Sequence, residues 1–170
     1  MAESDGGHAL EAQFEELFRA SYAGLVRSLT VAAGSQEVAA DCVQEAFCRA
    51  YVRWRRVGRY DEPVAWVRRV AVNLLIDHSR RMQRHDRALA RMPVDVEPPP
   101  SDPLEVDLEG ALDSLTPQQR VAAALFYVED LPVTEVAAAM KLSEGAVKYH
   151  LHQARATLRD TLDAHREDIS

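Results

Sequence analysis

The 170-residue chain contains only two cysteines, few aromatic residues and no long apolar run. Cys42 and Cys48 lie six positions apart on one predicted helix, about 240° around its axis, so they cannot share a metal or a disulfide within that helix. The first residues lack a basic segment, and no stretch approaches the roughly 18 apolar residues of a membrane span. We therefore expect a cytoplasmic protein with reduced thiols, no membrane segment and no secretion signal.

The chain is acidic overall, yet its middle is strongly basic. The formal net charge is −7, whereas residues 49–91 contain 12 arginines and 4 acidic residues, a local charge of +8. The acidic excess argues against a general nucleic-acid coat protein, but a local basic surface is compatible with a nucleic-acid contact. The segment Pro63–Arg91 lies within this basic region. We interpret the rest of the chain either as structural support for this segment or as a second surface that contacts the same partner.

The segment Pro63–Arg91 is predicted to form one long helix with two distinct faces. Its apolar stripe, which we expect to face a core, comprises Val67, Val70, Ala71, Leu74 and Leu75. A different face carries Trp66, Arg69, Asn73, Asp77, Arg80 and Arg84. Arginine binds phosphates and base edges, asparagine can bond an adenine edge, and an aromatic ring can stack on an unpaired base. The alternative is a solvated amphipathic helix in which Asp77 pairs with Arg80 or Arg81.

Two helices are predicted before this segment. Residues 1–10 read as a frayed tail, and apolar residues at helical spacing then predict a helix that ends near Gly34. Ser35 is a suitable N-cap for a second helix over about residues 36–55. Its buried residues are predicted to be Val43, Phe47, Ala50 and Trp54. A short loop, residues 56–62, leads to Pro63, which suits a first helical turn.

A separate face of the second helix, here called the acidic stripe, consists of Asp41, Gln44, Glu45 and Cys48. Their spacing places them on one side of a helix, away from the predicted buried residues. Such a stripe is either simply solvated or a docking face for a basic partner.

The composition changes after Met92. Residues 92–113 contain seven acidic residues, five prolines and no basic residue. We predict an extended linker over residues 92–104, stiffened by polyproline conformation. It divides the chain into a three-helix bundle over residues 11–91 and a second helical domain over residues 105–166. The predicted fold class is all-α, with two small helical domains joined by an acidic, proline-rich linker.

The second domain shows the pattern of a helix-turn-helix. After a short helix over about residues 104–115, Thr116-Pro117 and Leu131-Pro132 open two further helices. A tight turn at Lys141-Leu142 then precedes Ser143, which caps the last helix. An ordinary helical hairpin is the alternative to a helix-turn-helix. The side chains of the last helix that we expect to face outward are Lys148, Tyr149, His152 and Arg155.

Three motifs in chain order carry a family resemblance. The first is DCVQEAF at residues 41–47, and the second is PVAWVRRVAVNLLID at residues 63–77, followed by two arginines. The third comprises LDSLTPQQR at residues 112–120, EDL at 129–131, EVA at 135–137 and SEGAVK at 143–148. With the acidic linker between them, these motifs resemble the extracytoplasmic-function (ECF) sigma factors of the bacterial sigma-70 superfamily. The resemblance covers residues 11–165.

The resemblance implies a sigma factor that directs RNA polymerase to promoters, has no catalytic activity of its own and is a monomer when free. It implies that Asp41, Gln44 and Glu45 bind the β′ clamp of core polymerase, that the second domain meets the β flap, and that an anti-sigma protein is a candidate partner. Residues implied to contact the −10 element of promoter DNA are Arg56, Arg59, Tyr60, Trp66, Arg69, Asn73, Asp77, Arg80, Arg81 and Arg84. Those implied to contact the −35 element are Ser143, Glu144, Lys148, Tyr149, His152 and Arg155. The sequence shows no metal-ligand cluster and no Gly-rich phosphate loop, so we expect no metal and no cofactor.

The chain departs from the family pattern in its last helix. His150 and Gln153 stand where the family often has arginine, and residues 92–170 carry 6 basic and 15 acidic residues, a charge of −9. Both features weaken the expected −35 binding.

Two alternatives remain open. A sigma-like adaptor for an anti-sigma protein has no need of the basic segment Arg80–Arg91, and a stand-alone helix-turn-helix repressor leaves the acidic stripe unexplained. Such repressors are usually dimers on palindromic sites, so the oligomeric state distinguishes them from a sigma factor.

Overall fold

The computed structural model describes residues 2–89 and 110–168, and this part of the chain is helical, without a strand. The predicted all-α class is therefore confirmed. The helices are α1 (Ala2–Ala33), α2 (Gln36–Val52), α3 (Trp54–Val57), α4 (Pro63–Leu89), α5 (Pro117–Ala123), α6 (Val133–Met140) and α7 (Glu144–Asp168). The predicted linker over residues 92–104 lies outside the described residues. No helix in the described ranges is both long and apolar enough to span a bilayer.

The first two helices meet at a tight turn that the sequence predicts well. Gly34, which follows α1, has φ +67°, a left-handed conformation that glycine adopts without a steric penalty. The Ser35 side chain then accepts a hydrogen bond from the Val38 backbone N–H and caps α2. The expectation of a frayed tail over residues 1–10 is wrong, because α1 is already helical from Ala2.

The second helix is shorter than predicted. It ends at Val52, Arg53 leaves helical geometry, and a separate single turn, α3, covers Trp54–Val57. The predicted loop over residues 56–62 is therefore shortened by two residues at its start. Because of this interruption, the Trp54 ring points into a cluster of aromatic rings. Its centre lies 5.2 Å from the ring centre of Phe14 in α1.

Helix α4 begins at Pro63, as predicted, and packs against α1, α2 and α6. It buries two rows of side chains where the sequence predicts one. The first row consists of Val67, Ala71 and Leu75, which are fully buried, with Val70 and Leu74 half-buried beside them. The second row, one position further on each turn, consists of Arg68, Val72 and Ile76. A second buried row requires a packing partner outside the three-helix bundle.

Of the short helix predicted over residues 104–115, the described part is helical at residues 110–113, and the helix opened by Thr116-Pro117 follows it with one irregularity. Thr116 and Gln119 form a capping box at the start of α5. The helix then widens into a π-helical segment, Ala124–Val128, in which the N–H of Glu129 donates to the carbonyl of Ala124 at 3.2 Å. Because single π turns shift the register of the following residues, this segment determines where Glu129 points.

The last two helices form the predicted helix-turn-helix. Lys141, at the turn after α6, adopts φ 54°, and the side-chain oxygen of Ser143 accepts a hydrogen bond from the N–H of Ala146 at 3.1 Å. The core of this unit includes Val147, Leu151 and Ala154 from α7, all buried. The alternating burial along α7 leaves its other face exposed to solvent.

The two halves pack together around a continuous apolar core. Helix α1 contacts α5 and the π-helical segment, and α4 contacts α5 and α6. This packing accounts for the second buried row of α4. It gives the described residues a closed arrangement, in which the helix-turn-helix lies against the long basic helix.

Candidate nucleic-acid interface

The acidic stripe on α2 is exposed along its whole length. Asp41, Gln44, Glu45 and Cys48 are all exposed, whereas the intervening Val43 and Phe47 are buried in the core. The Glu45 carboxylate accepts a hydrogen bond from Nε of Arg49 at 2.7 Å, which partly neutralises its charge. Among the described residues, Asp41 therefore presents an unpaired carboxylate and Gln44 an uncharged carboxamide, whereas Glu45 is part of an ion pair.

The neighbouring Cys42 is buried, and the pKa of its thiol depends on the charges around the acidic stripe. Burial raises the pKa of the Cys42 thiol, the Asp41 carboxylate raises it further, and Arg81 acts in the opposite direction. The influence of Arg81 indicates that α4 brings a guanidinium close to this end of α2. Both cysteines are free, as expected from their spacing.

Beside the acidic stripe, α2 and the second half of α4 form an open basic groove. It is lined by Arg49, Arg80, Arg81, Arg84 and Arg87, together with Leu74, Asp77 and Gln83. Five guanidinium groups around an open depression of about 720 Å3 create a concentrated positive potential suited to a polyanion. Asp77 forms no ion pair with Arg80 or Arg81, so the pairing that the alternative of a solvated amphipathic helix includes is absent.

The first half of α4 is less exposed than the sequence predicts. Trp66, Arg69 and Asn73 are half-buried, whereas Asp77, Arg80, Arg81 and Arg84 are exposed. A pocket containing Trp66 and Arg69 is closed on its other side by Glu135, Ala138 and Ala139 of α6. A second pocket, of about 220 Å3, places Asn73 opposite Met140, Lys141 and Leu142. This polar face of α4 is therefore half-buried over its first half and exposed over its second.

Before α4, the turn from α3 presents three residues of the predicted −10 set. Arg56, Arg59 and Tyr60 are exposed, and Tyr60 also lines the pocket that contains Trp66. Gly58 sits directly on the Trp54 ring, since a Cβ there would lie 3.0 Å from a ring carbon of Trp54. The close contact constrains the turn after α3, and Tyr60 lies beside Trp66 and Arg69 in the first half of α4.

The exposed face of α7 carries the residues predicted for the −35 element. Glu144, Lys148, Tyr149, His152 and Arg155 are exposed, as is Ser143, whose hydroxyl oxygen caps the helix. Tyr149 is 60% exposed, so its ring is available to a partner. This side of the helix carries Lys148, Arg155 and a ring, and the exposed Arg159 continues it one turn further on.

Sequence reasoning missed three residues that join the two halves of the chain. Arg68 of α4 donates a hydrogen bond from Nε to the Glu129 carboxylate at 2.7 Å, and the Ser28 hydroxyl of α1 lies 3.2 Å from the other Glu129 oxygen. Arg68 reads as one more basic residue of the long helix, and Glu129 as part of the EDL motif. The only signal in the sequence is that the residues one helical turn before and after Arg68, Val64 and Val72, are both apolar.

No group of three metal-ligating side chains occurs among the described residues. The described residues bring together carboxylates on one surface and guanidinium groups on another. This arrangement is suited to binding macromolecules of opposite charge.

Two family profiles match the chain in the order of its two halves. Sigma-70 region 2 matches residues 16–85, and sigma-70 region 4 matches residues 105–158. An ECF RNA polymerase sigma factor SigE from Mycolicibacterium smegmatis is 30% identical over 99% of this chain and 68% of its own length. An RNA polymerase sigma-E factor from Streptomyces coelicolor is 32% identical over 93% of this chain and 89% of its own length. The chain belongs to the ECF sigma factors of the sigma-70 family.

Two solved structures share the fold. The sigma factor RpoE of Bartonella quintana, in complex with the anti-sigma factor NepR, superposes with a TM-score of 0.63 over 88% of this chain and 96% of its own, at 20% identity. CnrH, in complex with the cytosolic domain of CnrY, gives a TM-score of 0.61 over 89% of this chain and 88% of its own, at 25% identity. Sigma factors are non-catalytic factors of transcription initiation, so the protein belongs to a class without an active site.

Proposed function

We propose that this sigma factor binds core RNA polymerase in the cytoplasm and directs it to promoters by recognising a −35 and a −10 element. The observation that carries the proposal is the presence of three distinct exposed surfaces in one chain: the acidic stripe, the basic groove and the exposed face of α7. A stand-alone regulator needs only one DNA-binding surface, whereas a promoter-specificity subunit needs two and a separate polymerase contact.

The acidic stripe is the proposed polymerase contact. Asp41, Gln44 and Glu45 offer two carboxylates and one carboxamide on a rigid helix, and a basic partner such as a coiled coil of the β′ clamp is complementary to them. The buried Val43 and Phe47 fix the direction of this face. The second domain, on the other side of the acidic linker, is proposed to meet the β flap.

Helix α4 is the proposed −10 reader. In this proposal, the basic groove neutralises the phosphates of an unpaired strand, while Asn73 bonds a base edge. The exposed Arg56, Arg59 and Tyr60 are proposed to hold a flipped base. Capture of flipped bases offsets the unstacking cost of a few kcal/mol, so melting needs no energy source in the protein.

Helix α7 is the proposed −35 reader. Its exposed Lys148 and Arg155 contact phosphates or guanine edges, and Tyr149 and His152 lie between them on the same face. The half-buried His150 and Gln153 take no part in this contact. With so few cations, the second domain supplies specificity while the polymerase supplies most of the affinity.

An anti-sigma protein is the proposed regulator. One structural neighbour is a sigma factor solved with the anti-sigma factor NepR, and the other, CnrH, was solved with the cytosolic domain of CnrY. This chain shares their fold, and we extend that kind of partner to it. The predicted monomeric state is compatible with a one-to-one complex.

The proposal is tested by overproducing the protein in its own host and sequencing the transcripts. We expect a defined set of induced transcripts whose start sites share two upstream motifs at constant spacing. Purified core polymerase with the added protein should then initiate at the same sites in run-off transcription, while core polymerase alone should not. Induction without a shared motif pair, or failure to bind core polymerase, contradicts the proposal.

A further inference from the structure

A pocket of about 510 Å3 lies between the two halves of the chain, and we call it the interdomain pocket. Its lining residues come from the turn before α4, from α4 itself and from α6. The volume lies within the roughly 300–1,000 Å3 of small-molecule sites, which occur preferentially between domains. The interdomain pocket is therefore large enough to hold a small organic ligand.

Two aromatic rings and several alanines line the interdomain pocket. Trp66 is half-buried and Tyr60 is exposed, so both rings keep accessible surface in the pocket. A planar heteroaromatic ring can stack on an indole or a phenol. On the side of α6 the pocket is lined by Ala138 and Ala139, whose side chains end at Cβ and leave space beside the rings. These residues favour a flat, aromatic ligand.

Three charged side chains of the pocket have no ion-pair partner within residues 2–89 and 110–168. They are Arg69, Glu62 and Glu135. The fourth charged residue, Arg68, is already bound to Glu129 at 2.7 Å. Two free carboxylates and one free guanidinium give a local charge of −1. The pocket thus offers several acceptors to N–H groups and one fork of donors, and it disfavours a ligand that carries phosphate.

Guanine is the base whose two edges match these free groups. Arginine donates two parallel hydrogen bonds to O6 and N7 of guanine, and a carboxylate accepts hydrogen bonds from the ring N–H and amino groups on its Watson–Crick edge. Adenine carries an amino group in place of O6, so a donor would face the donors of Arg69. The free charges therefore favour guanine over adenine.

The same types of residue also occur in sites for organic cations. Aromatic rings bind quaternary ammonium ions through cation–π interactions, and carboxylates strengthen the attraction. Two features of the interdomain pocket argue against such a ligand. The free guanidinium of Arg69 repels a cation, and an ion of the size of choline would leave most of the 510 Å3 unfilled.

We propose that the interdomain pocket binds a guanine-type nucleoside. The base stacks on Trp66 and Tyr60, its acceptor edge lies on Arg69, and its donor edge lies on Glu135. The inference goes beyond the proposed function, because Glu135 and Ala138 take part in none of the proposed DNA or polymerase contacts. Since both halves of the chain contribute to the pocket, a bound nucleoside stabilises the folded arrangement by linkage.

The test measures binding to the full chain by isothermal titration calorimetry, with thermal unfolding as a second readout. Guanosine should bind with a Kd below about 1 mM and raise the melting temperature. Adenosine should bind at least about fivefold more weakly, which is the lower end of discrimination by a bidentate base contact. Guanosine monophosphate should also bind more weakly than guanosine, because its phosphate meets the negative charge of the pocket.

Two variants on α6 show whether the nucleoside occupies this pocket. Ala138→Phe fills the space beside the rings, and Glu135→Gln removes the carboxylate at nearly constant shape. Both positions are exposed, so the core is unchanged, and circular dichroism checks the fold. Each variant should weaken guanosine binding at least about fivefold. The matched controls should bind as the wild type does: Ala12→Phe at an exposed position of α1, and Glu37→Gln in the first turn of α2.

Four results overturn the proposal. They are the absence of guanosine binding to the wild type, equal affinity for adenosine, binding of choline in place of guanosine, and α6 variants that fold and bind guanosine as the wild type does. None of these results bears on promoter recognition, which transcription by the reconstituted holoenzyme tests separately. Loss of guanosine binding in Glu135→Gln with unchanged transcription supports the nucleoside site and leaves the proposed function intact.

Discussion

At the scale of single residues, the same helix gives its side chains very different environments. On α4, Asn73 is half-buried against the turn after α6, whereas Asp77, one turn later, is exposed beside the basic groove. Among the described residues, the half-buried Asn73 carboxamide has no hydrogen-bond partner, so it can be replaced at little cost to stability, whereas its loss removes any base contact that it makes. Function and stability can therefore be separated at this position.

We expect Asn73→Ala to impair use of the −10 element without unfolding the first domain. Loss of a bidentate base contact should cost about 1–3 kcal/mol of discrimination between promoter and mismatched sequences. The measurement is run-off transcription by reconstituted holoenzyme on matched and mismatched templates. Gln13→Ala, which removes an exposed carboxamide from α1, is the control and should behave as wild type. Early melting with normal transcription per folded molecule would make Asn73 a structural residue.

We expect Glu45→Lys to weaken binding to core polymerase by reversing a charge of the acidic stripe. The change also removes the exposed pair with Arg49, so the free energy of unfolding should fall by only about 0.5 kcal/mol. A pull-down titration with core polymerase measures the affinity, and circular dichroism measures the stability. Glu15→Lys loses an equivalent exposed pair on α1 and should bind normally. Equal affinity for the wild type and Glu45→Lys would remove the acidic stripe from the polymerase contact.

At the scale of elements, caps and breaks determine where each helix points. Ser35, Thr116 and Ser143 each place a side-chain oxygen on the free N–H groups of a first turn, so three helices begin where the sequence predicts. The break between α2 and α3 carries no such signal. It depends on Trp54 entering the aromatic cluster and on Gly58 allowing the chain to pass over its ring.

We expect Gly58→Ala to destabilise the first domain by about 1–3 kcal/mol, as overpacking typically does. A Cβ at this position would lie 3.0 Å from both a ring carbon and the carbonyl oxygen of Trp54, and the ring is only 7% exposed, so it has little room to move. Thermal unfolding measures the loss. Gly24→Ala in α1 meets no atom closer than 4.0 Å and should be neutral or slightly stabilising. Equal melting of the two variants would show that the ring adapts freely.

At the scale of the whole molecule, we expect both the net charge and the closed arrangement to weaken DNA binding by the free chain. The second domain has few cations on its reading face, and the closed arrangement covers part of α4. Because phosphate contacts supply most non-specific affinity, we expect a chain with a net charge of −7 to bind duplex DNA weakly. Association with polymerase would set the spacing of the two DNA readers and raise their effective concentration on one promoter.

We therefore expect the free protein to bind promoter duplex poorly and to require core polymerase for specific binding. Fluorescence anisotropy on a labelled promoter, at physiological salt and with or without core polymerase, measures this difference. A scrambled duplex of the same length is the control for non-specific attraction. Nanomolar, sequence-specific binding by the protein alone would favour a stand-alone regulator instead.

The sequence by itself determined the all-α class, the caps of α2, α5 and α7, the acidic stripe and the outward face of α7. These features depend on residues within one or two turns of each other, because helical spacing and N-caps are local. The order of the three motifs was also enough to identify the family, and the family-profile matches confirm it. The residue roles on the acidic stripe, α4 and α7 stay predictions.

Only the tertiary structure decided which part of α4 is covered. Arg68 is buried because Glu129, 61 positions later, accepts its hydrogen bond, and Ser28 meets the same carboxylate across 101 positions. The π-helical segment that aims Glu129 has no sequence signature as clear as a cap. An arginine in a basic helix looks solvated when read along the chain, because the partner that buries it becomes a neighbour only when the two halves pack together.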